Sequence, residues 1–147
     1  MPKAVWMLLL VLVVNIIFLI GLYKEVKIST FDSAFAISIG IPVVFLHYLF
    51  MTVVSVTTVA AFDSVGAILV VAMLIGPAAT AYLISKTIKQ MMILSMLYGA
   101  GAAFFGYYSA KLLDTSISGM MATAVGLFFV ATLLVQRIIQ RKSVVKI

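Results

Sequence analysis

Few side chains in this 147-residue chain can do chemistry. There are four acids (Glu25, Asp32, Asp63 and Asp114), a single histidine, His47, and no cysteine. A thiolate metal site, a thiol nucleophile and a disulfide framework are therefore excluded. A cage for a divalent cation needs several carboxylates, imidazoles or carbonyls converging on one point. The acids here are scattered, and the apolar stretches hold no such cluster. Asp63 and His47 are the two side chains that could meet a metal, and neither is assigned as a ligand. Asp63 sits beside Ser64 in a short polar break, and His47 lies about one turn inside an apolar run. No Gly-rich loop followed by Lys-Ser/Thr occurs, so phosphate chemistry is not expected of this chain. No catalytic residue is assigned.

The elements that carry these residues are set by composition. Hydrophobic residues make up 65% and charged residues 10% of the chain, and the mean hydropathy is +1.31. A soluble domain is about 45–50% apolar and about 25% charged, so both the soluble and the disordered classes are excluded. Crossing the hydrocarbon core takes about 20 apolar residues. Five stretches qualify: Ala4–Tyr23, Val43–Phe62, Val65–Ile84, Met91–Ala110 and Ile117–Gln136. They are continuous rather than alternating, which predicts helices and an all-α integral membrane fold. The first run exceeds a signal-peptide core in length and lacks a small-residue cleavage site, so it is read as a span.

The net charge is +6 with a pI of about 9.7. The basic residues fall between apolar runs rather than on an aromatic-studded face, which argues for membrane topology and against nucleic acid. Alternating the spans puts Lys24, Lys27, Lys86, Lys89, Arg137, Arg141, Lys142 and Lys146 on one side, against Lys3 and Lys111 on the other. The first side is therefore expected to be cytoplasmic, with the N-terminus outside and the C-terminus inside. Residues 1–147 form a single transmembrane domain in this reading, within a multi-pass protein of the cell (plasma or inner) membrane.

Lys24–Pro42 is the longest connection. Ser29 or Thr30 is expected to cap a short cytoplasmic helix starting near Phe31, with Asp32 in its first turn at the positive dipole end. Gly40 supplies a left-handed stop and Pro42 suits the first turn of the next span. Asp32, Ala36 and Gly40 form a small face, and Phe31, Phe35 and Ile39 a neighbouring apolar face. A helix of this kind suits docking to a soluble partner; the alternative is a plain interfacial connector.

Within the spans, Asn15 is expected to bond to another helix. Thr52, Ser55 and Thr58 form a hydroxyl stripe, and the Asp63-Ser64 link could cap the next span. Gly66 follows that link. Ala72, Gly76 and Thr80 make a small-residue stripe that Pro77 interrupts with a kink. This set is assigned to the translocation path or to helix packing, and Gly99, Ala102, Ala103 and Gly106 to packing alone. Met73 and Met120 are read as filler.

Two stretches carry a family resemblance. The segment with Phe31-Asp32, Ala36, Gly40 and Pro42 resembles the coupling region of ABC importer permeases. Val65–Leu83, with Gly66 and Gly76-Pro77, is similar to the signature helix of the manganese/zinc/iron (chelate) permease family of metal-ion ABC transporters. Gly106-Tyr107-Tyr108, Asp114 and Ser118-Gly119 continue the match. The resemblance implies the C-terminal half of an importer permease with many helices per subunit. It also implies a coupling role for Phe31, Asp32, Phe35, Ala36, Gly40 and Pro42. The implied partners are a cytoplasmic ABC ATPase that holds the ATP, an extracytoplasmic metal-binding protein, a second permease copy and the lipid bilayer. This chain itself would bind no cofactor and be no enzyme, and metal ligands would come from the other half. A small autonomous channel or exporter is the competing function; it would normally place a charge within a span, and none is here. A membrane assembly protein without transport is the third.

Overall fold

Residues 2–144 are described from a computed structural model. They form α1 (Pro2–Phe31), α2 (Ser33–Ser38), α3 (Val43–Val65), α4 (Ala67–Ile84), α5 (Ile88–Leu113) and α6 (Ile117–Val144). There is no strand among the described residues. All but α2 are long and apolar enough to cross a membrane, giving the five spans expected. Lys146, counted with the basic side, lies outside the described residues. The chain divides into two compact units, Met1–Ser64 and Val65–Ile147.

In the first unit, α1 does not stop at the edge of the apolar run. Lys24-Glu25-Val26-Lys27-Ile28 contains neither Gly nor Pro, and a helix already nucleated in the preceding span propagates through it at little cost. Ser29 and Thr30, expected to cap the next helix, instead turn their hydroxyls back onto the Val26 carbonyl at 3.1 and 2.7 Å. The cap is Asp32. Its backbone is extended (φ −145°, ψ 92°) and its Oδ1 accepts the Phe35 N–H at 2.9 Å. The six-residue α2 packs against α1. It ends as the Gly40 reading requires, with φ +85°. The Gly40 N–H donates to Ile37 O and the Ile41 N–H to Ala36 O, both at 3.0 Å. This is the paired closure of a Schellman stop, which satisfies two otherwise orphaned carbonyls.

Asn15 ties α1 to α3. Its Nδ2 donates to Val11 O and to Thr57 Oγ1, each at 2.8 Å, and the Thr57 hydroxyl donates on to Val53 O at 2.7 Å. Phe18 and Phe50 meet with ring centroids 6.3 Å apart. Interhelical bonds of this kind average about 0.6 kcal/mol in a membrane, with a ceiling near 1.7. Asn15→Leu should therefore cost about 0.5–1.5 kcal/mol in a detergent unfolding titration. Thr57→Val should lose most of its own effect in that background, because the shared bond is already gone. The Thr52, Ser55 and Thr58 hydroxyls donate to carbonyls of their own helix at 2.7–2.8 Å, so the stripe does not oblige a partner helix.

The Asp63-Ser64 link is not a loop. Both residues lie in the last turns of α3, where the Ser64 hydroxyl donates to Ala60 O at 2.9 Å. The break falls on Gly66 alone (φ +88°, ψ 157°), which precedes α4 without any side-chain cap. That combination is open only to glycine, so α3 runs up to the first residue able to turn out of it.

In the second unit, α4, α5 and α6 pack pairwise on one another. Thr87 caps α5 by accepting the Gln90 N–H, and Gln90 Oε1 accepts the Lys86 N–H, in the manner of a capping box. At the other end of α5, Asp114 adopts the left-handed conformation (φ 49°), and Ser116 Oγ accepts the Gly119 N–H to start α6. Small residues let the helices close up. A Cβ on Gly99 would stand 3.7 Å from the Pro77 ring, and one on Gly76 would strike the Val125 side chain. One on Gly106 would lie 2.5 Å from Met121 Cα and 2.9 Å from its backbone nitrogen. Gln136 of α6 donates to Leu83 O at 2.7 Å, covering a carbonyl that the last turn of α4 leaves free.

Candidate functional site

The proposed coupling residues lie together on the α1–α2–α3 elbow of the first unit, with different roles. Phe31, Phe35 and Ile39 are 72%, 54% and 52% exposed and form an unburied apolar surface. Ala36 is 0% exposed. The small face is therefore turned inward at Ala36, and the aromatic face is the one presented. Asp32 works on the backbone, as the cap. At Gly40 a Cβ would meet nothing within 4 Å, so its demand is conformational rather than steric. Pro42 lies just before α3, and its carbonyl accepts the Leu46 N–H at 3.0 Å. Ile37, absent from the expected surface, is 62% exposed. A one-and-a-half-turn helix with a single buried position shows most of its circumference, and a two-face pattern read from four-residue spacing could not reveal that.

In the second unit Pro77 and Thr80 are buried. The Thr80 hydroxyl donates to Gly76 O at 2.8 Å. Pro77 withholds an N–H from the Met73 carbonyl one turn back, which weakens the ladder at the point where Gly99 of α5 and Val125 of α6 both approach. Ala72 and Gly76 line an open apolar hollow of about 330 Å³ with Ile75, Ala79, Val125 and Phe129. Gly66 stands apart from this seam, at the entry to α4.

The metal candidates are not brought together. His47 is exposed, its ring 6.2 Å from that of Tyr48, and Asp63 is exposed near the end of α3. No group of three or more His, Cys, Asp or Glu that could hold a metal ion occurs among the described residues. Glu25, to which no role was given, has one carboxylate oxygen buried and without a hydrogen-bond partner. As the only acid in α1, it is marked by residue type but not by any motif.

The model of the ABC 3 transport family matches residues 1–136. The chain belongs to that family. The manganese transport system membrane protein MntD of Bacillus subtilis is 50% identical over 133 residues, which cover 90% of this chain and 45% of that protein. A probable iron transport system membrane protein of Haemophilus influenzae is 34% identical over 130 residues, covering 88% of this chain and 46% of that protein. Among solved structures, a chain of PsaBC from Streptococcus pneumoniae in complex with Fab superposes with a TM-score of 0.87 at 32% identity. The match covers 97% of this chain and 52% of that one. The chain thus spans about half the length of the family members it matches. Family membership and five apolar helices together make it a multi-pass membrane protein.

Proposed function

We propose that this chain is the membrane-spanning part of an ATP-driven importer of a divalent metal ion, manganese or iron. The relatives' names supply those two metals. ATP binding and hydrolysis fall to a separate cytoplasmic subunit that docks on α2. A metal-binding protein delivers the ion on the outer side, where the N-terminus lies, and a second permease copy completes the path. The ion is cargo, so a single chain needs no dense cage of its own, and the remainder of the subunit provides most of its ligands.

The observation that carries this reading is the construction of α2. A short helix held at one end by Asp32 and closed at the other by the Gly40 stop presents Phe31, Phe35 and Ile39 outward. The side chains that dock and the groups that hold the helix are different, so the surface can be altered without unfolding the elbow. In a transporter carrying this sequence, the combined variant Phe35→Ser, Ile39→Ser should insert at the normal level. ATPase co-purification should fall at least tenfold, and metal uptake should drop to background. Normal uptake of radioactive manganese and iron by that variant would refute the assignment. Gly40→Trp, which strains the stop itself, should also abolish uptake.

A further inference from the structure

We propose that the α4–α5–α6 unit holds one anionic phospholipid, its headgroup among Lys86, Arg137 and Arg141 and an acyl chain in the groove that begins beside them. This inference is independent of which ion the transporter carries.

The groove has a volume of about 480 Å³ and is lined almost wholly by carbon, from Ile75, Ala78, Ala79 and Tyr82 of α4, Met91 of α5 and Phe129 of α6. Its last α4 residue, Leu83, is three positions before Lys86, and Met91 is two positions after Lys89. The bond from Gln136 Nε2 to Leu83 O brings the neighbouring Arg137 to the same end. Arg141 follows one turn later on α6. Lys86, Arg137 and Arg141 are exposed, and Lys89 adds its charge. Among the described residues after Gly66 the one acid is Asp114, at the far end of the 26-residue α5, roughly 39 Å away along the helix.

The occupant follows from the two halves of the site being joined. A soluble acidic protein would match the charge but leave the apolar groove empty. A neighbouring helix would fill the groove without any use for the three cations at its end. A phospholipid with a negative headgroup satisfies both, and basic pockets between membrane helices take such headgroups. Tyr82 is 71% exposed and one turn from Lys86, at the depth where an amphipathic ring favours the headgroup boundary.

The test is native mass spectrometry of the detergent-purified chain, titrated with palmitoyl-oleoyl phosphatidylglycerol or with the phosphatidylcholine of the same chains. The chain should retain phosphatidylglycerol at least about tenfold better, and added salt should erode the difference. The triple variant Lys86→Gln, Arg137→Gln, Arg141→Gln should lose the preference and retain the two lipids equally. Ala79→Phe, which fills the groove and keeps the charges, should weaken retention of both lipids. Equal retention of the two lipids by the unaltered chain would overturn the proposal and leave the charged end to a protein partner. A preference that survives the triple variant, or retention unaffected by Ala79→Phe, would overturn it as well. The comparison of lipids on the unaltered chain stands even if a variant fails to fold.

Discussion

Gly106→Ala should destabilise the protein by about 2–3 kcal/mol, although alanine is the better helix former by about 1 kcal/mol. The added methyl would arrive 2.5 Å from Met121 Cα and 2.9 Å from its nitrogen. Those are backbone atoms of α6, so no rotamer change can clear them, and the two helices must part along the seam that Ala102 and Ala110 also line. The loss of close packing then extends over several turns. Thermal unfolding in detergent should show a midpoint lowered by roughly 5–10 °C. Gly126→Ala is the control, since a Cβ there meets nothing within 4 Å. It should be neutral or slightly stabilising. An unchanged midpoint for Gly106→Ala would mean that α5 and α6 are not packed as described.

Gly66→Val should act as strongly through the backbone instead. Space is not limiting at Gly66, where a Cβ would meet nothing within 4 Å. The conformation is (φ +88°, ψ 157°), in a region that costs non-glycine residues of order 1–3 kcal/mol, with a β-branched side chain at the upper end. The relaxed alternative is to let α3 continue through residue 66, which removes the break in the helix at Gly66. Because the sequence has no cysteine, single cysteines placed at Ser64 and Ala67 can report this by labelling. In Gly66→Val their reactivity should change and the unfolding midpoint should fall, whereas Gly21→Ala, inside α1, should leave both as they are.

The contrast between these two glycines shows what could be read from residues alone. The five spans were legible because apolar run length is a one-dimensional quantity, and every expected span overlaps its helix. The left-handed stop at Gly40 was legible for a similar reason, since glycine before Ile41-Pro42 leaves few other geometries. The cap of α2 falls two or three residues later than Ser29 and Thr30 predict. Ser29, Thr30 and Asp32 are all good caps, and the winner depends on where α1 ends, which no local pattern fixes. Polarity at Asp63-Ser64 likewise predicts a break that the backbone takes only at Gly66. The outward face of α2 was not legible either. Spacing groups Asp32, Ala36 and Gly40 on one side, but whether that side faces α1 or the surroundings is decided by packing. Asn15 was read as a crosslink between helices, and its partner, Thr57, emerged only from the fold.

α1 carries one further mechanical consequence. It runs from Pro2 to Phe31 with no proline after its first residue, 30 residues or roughly 45 Å, while the hydrocarbon core is about 30 Å thick. Its surplus length projects from the bilayer as stiff rod rather than slack tether. A sideways force on Phe31 is therefore not absorbed by a pliant joint at the membrane edge. Tilting the whole rod by about 10° about one tip would swing the opposite tip through roughly 8 Å. Torque applied at the elbow reaches the far leaflet within a single rigid object.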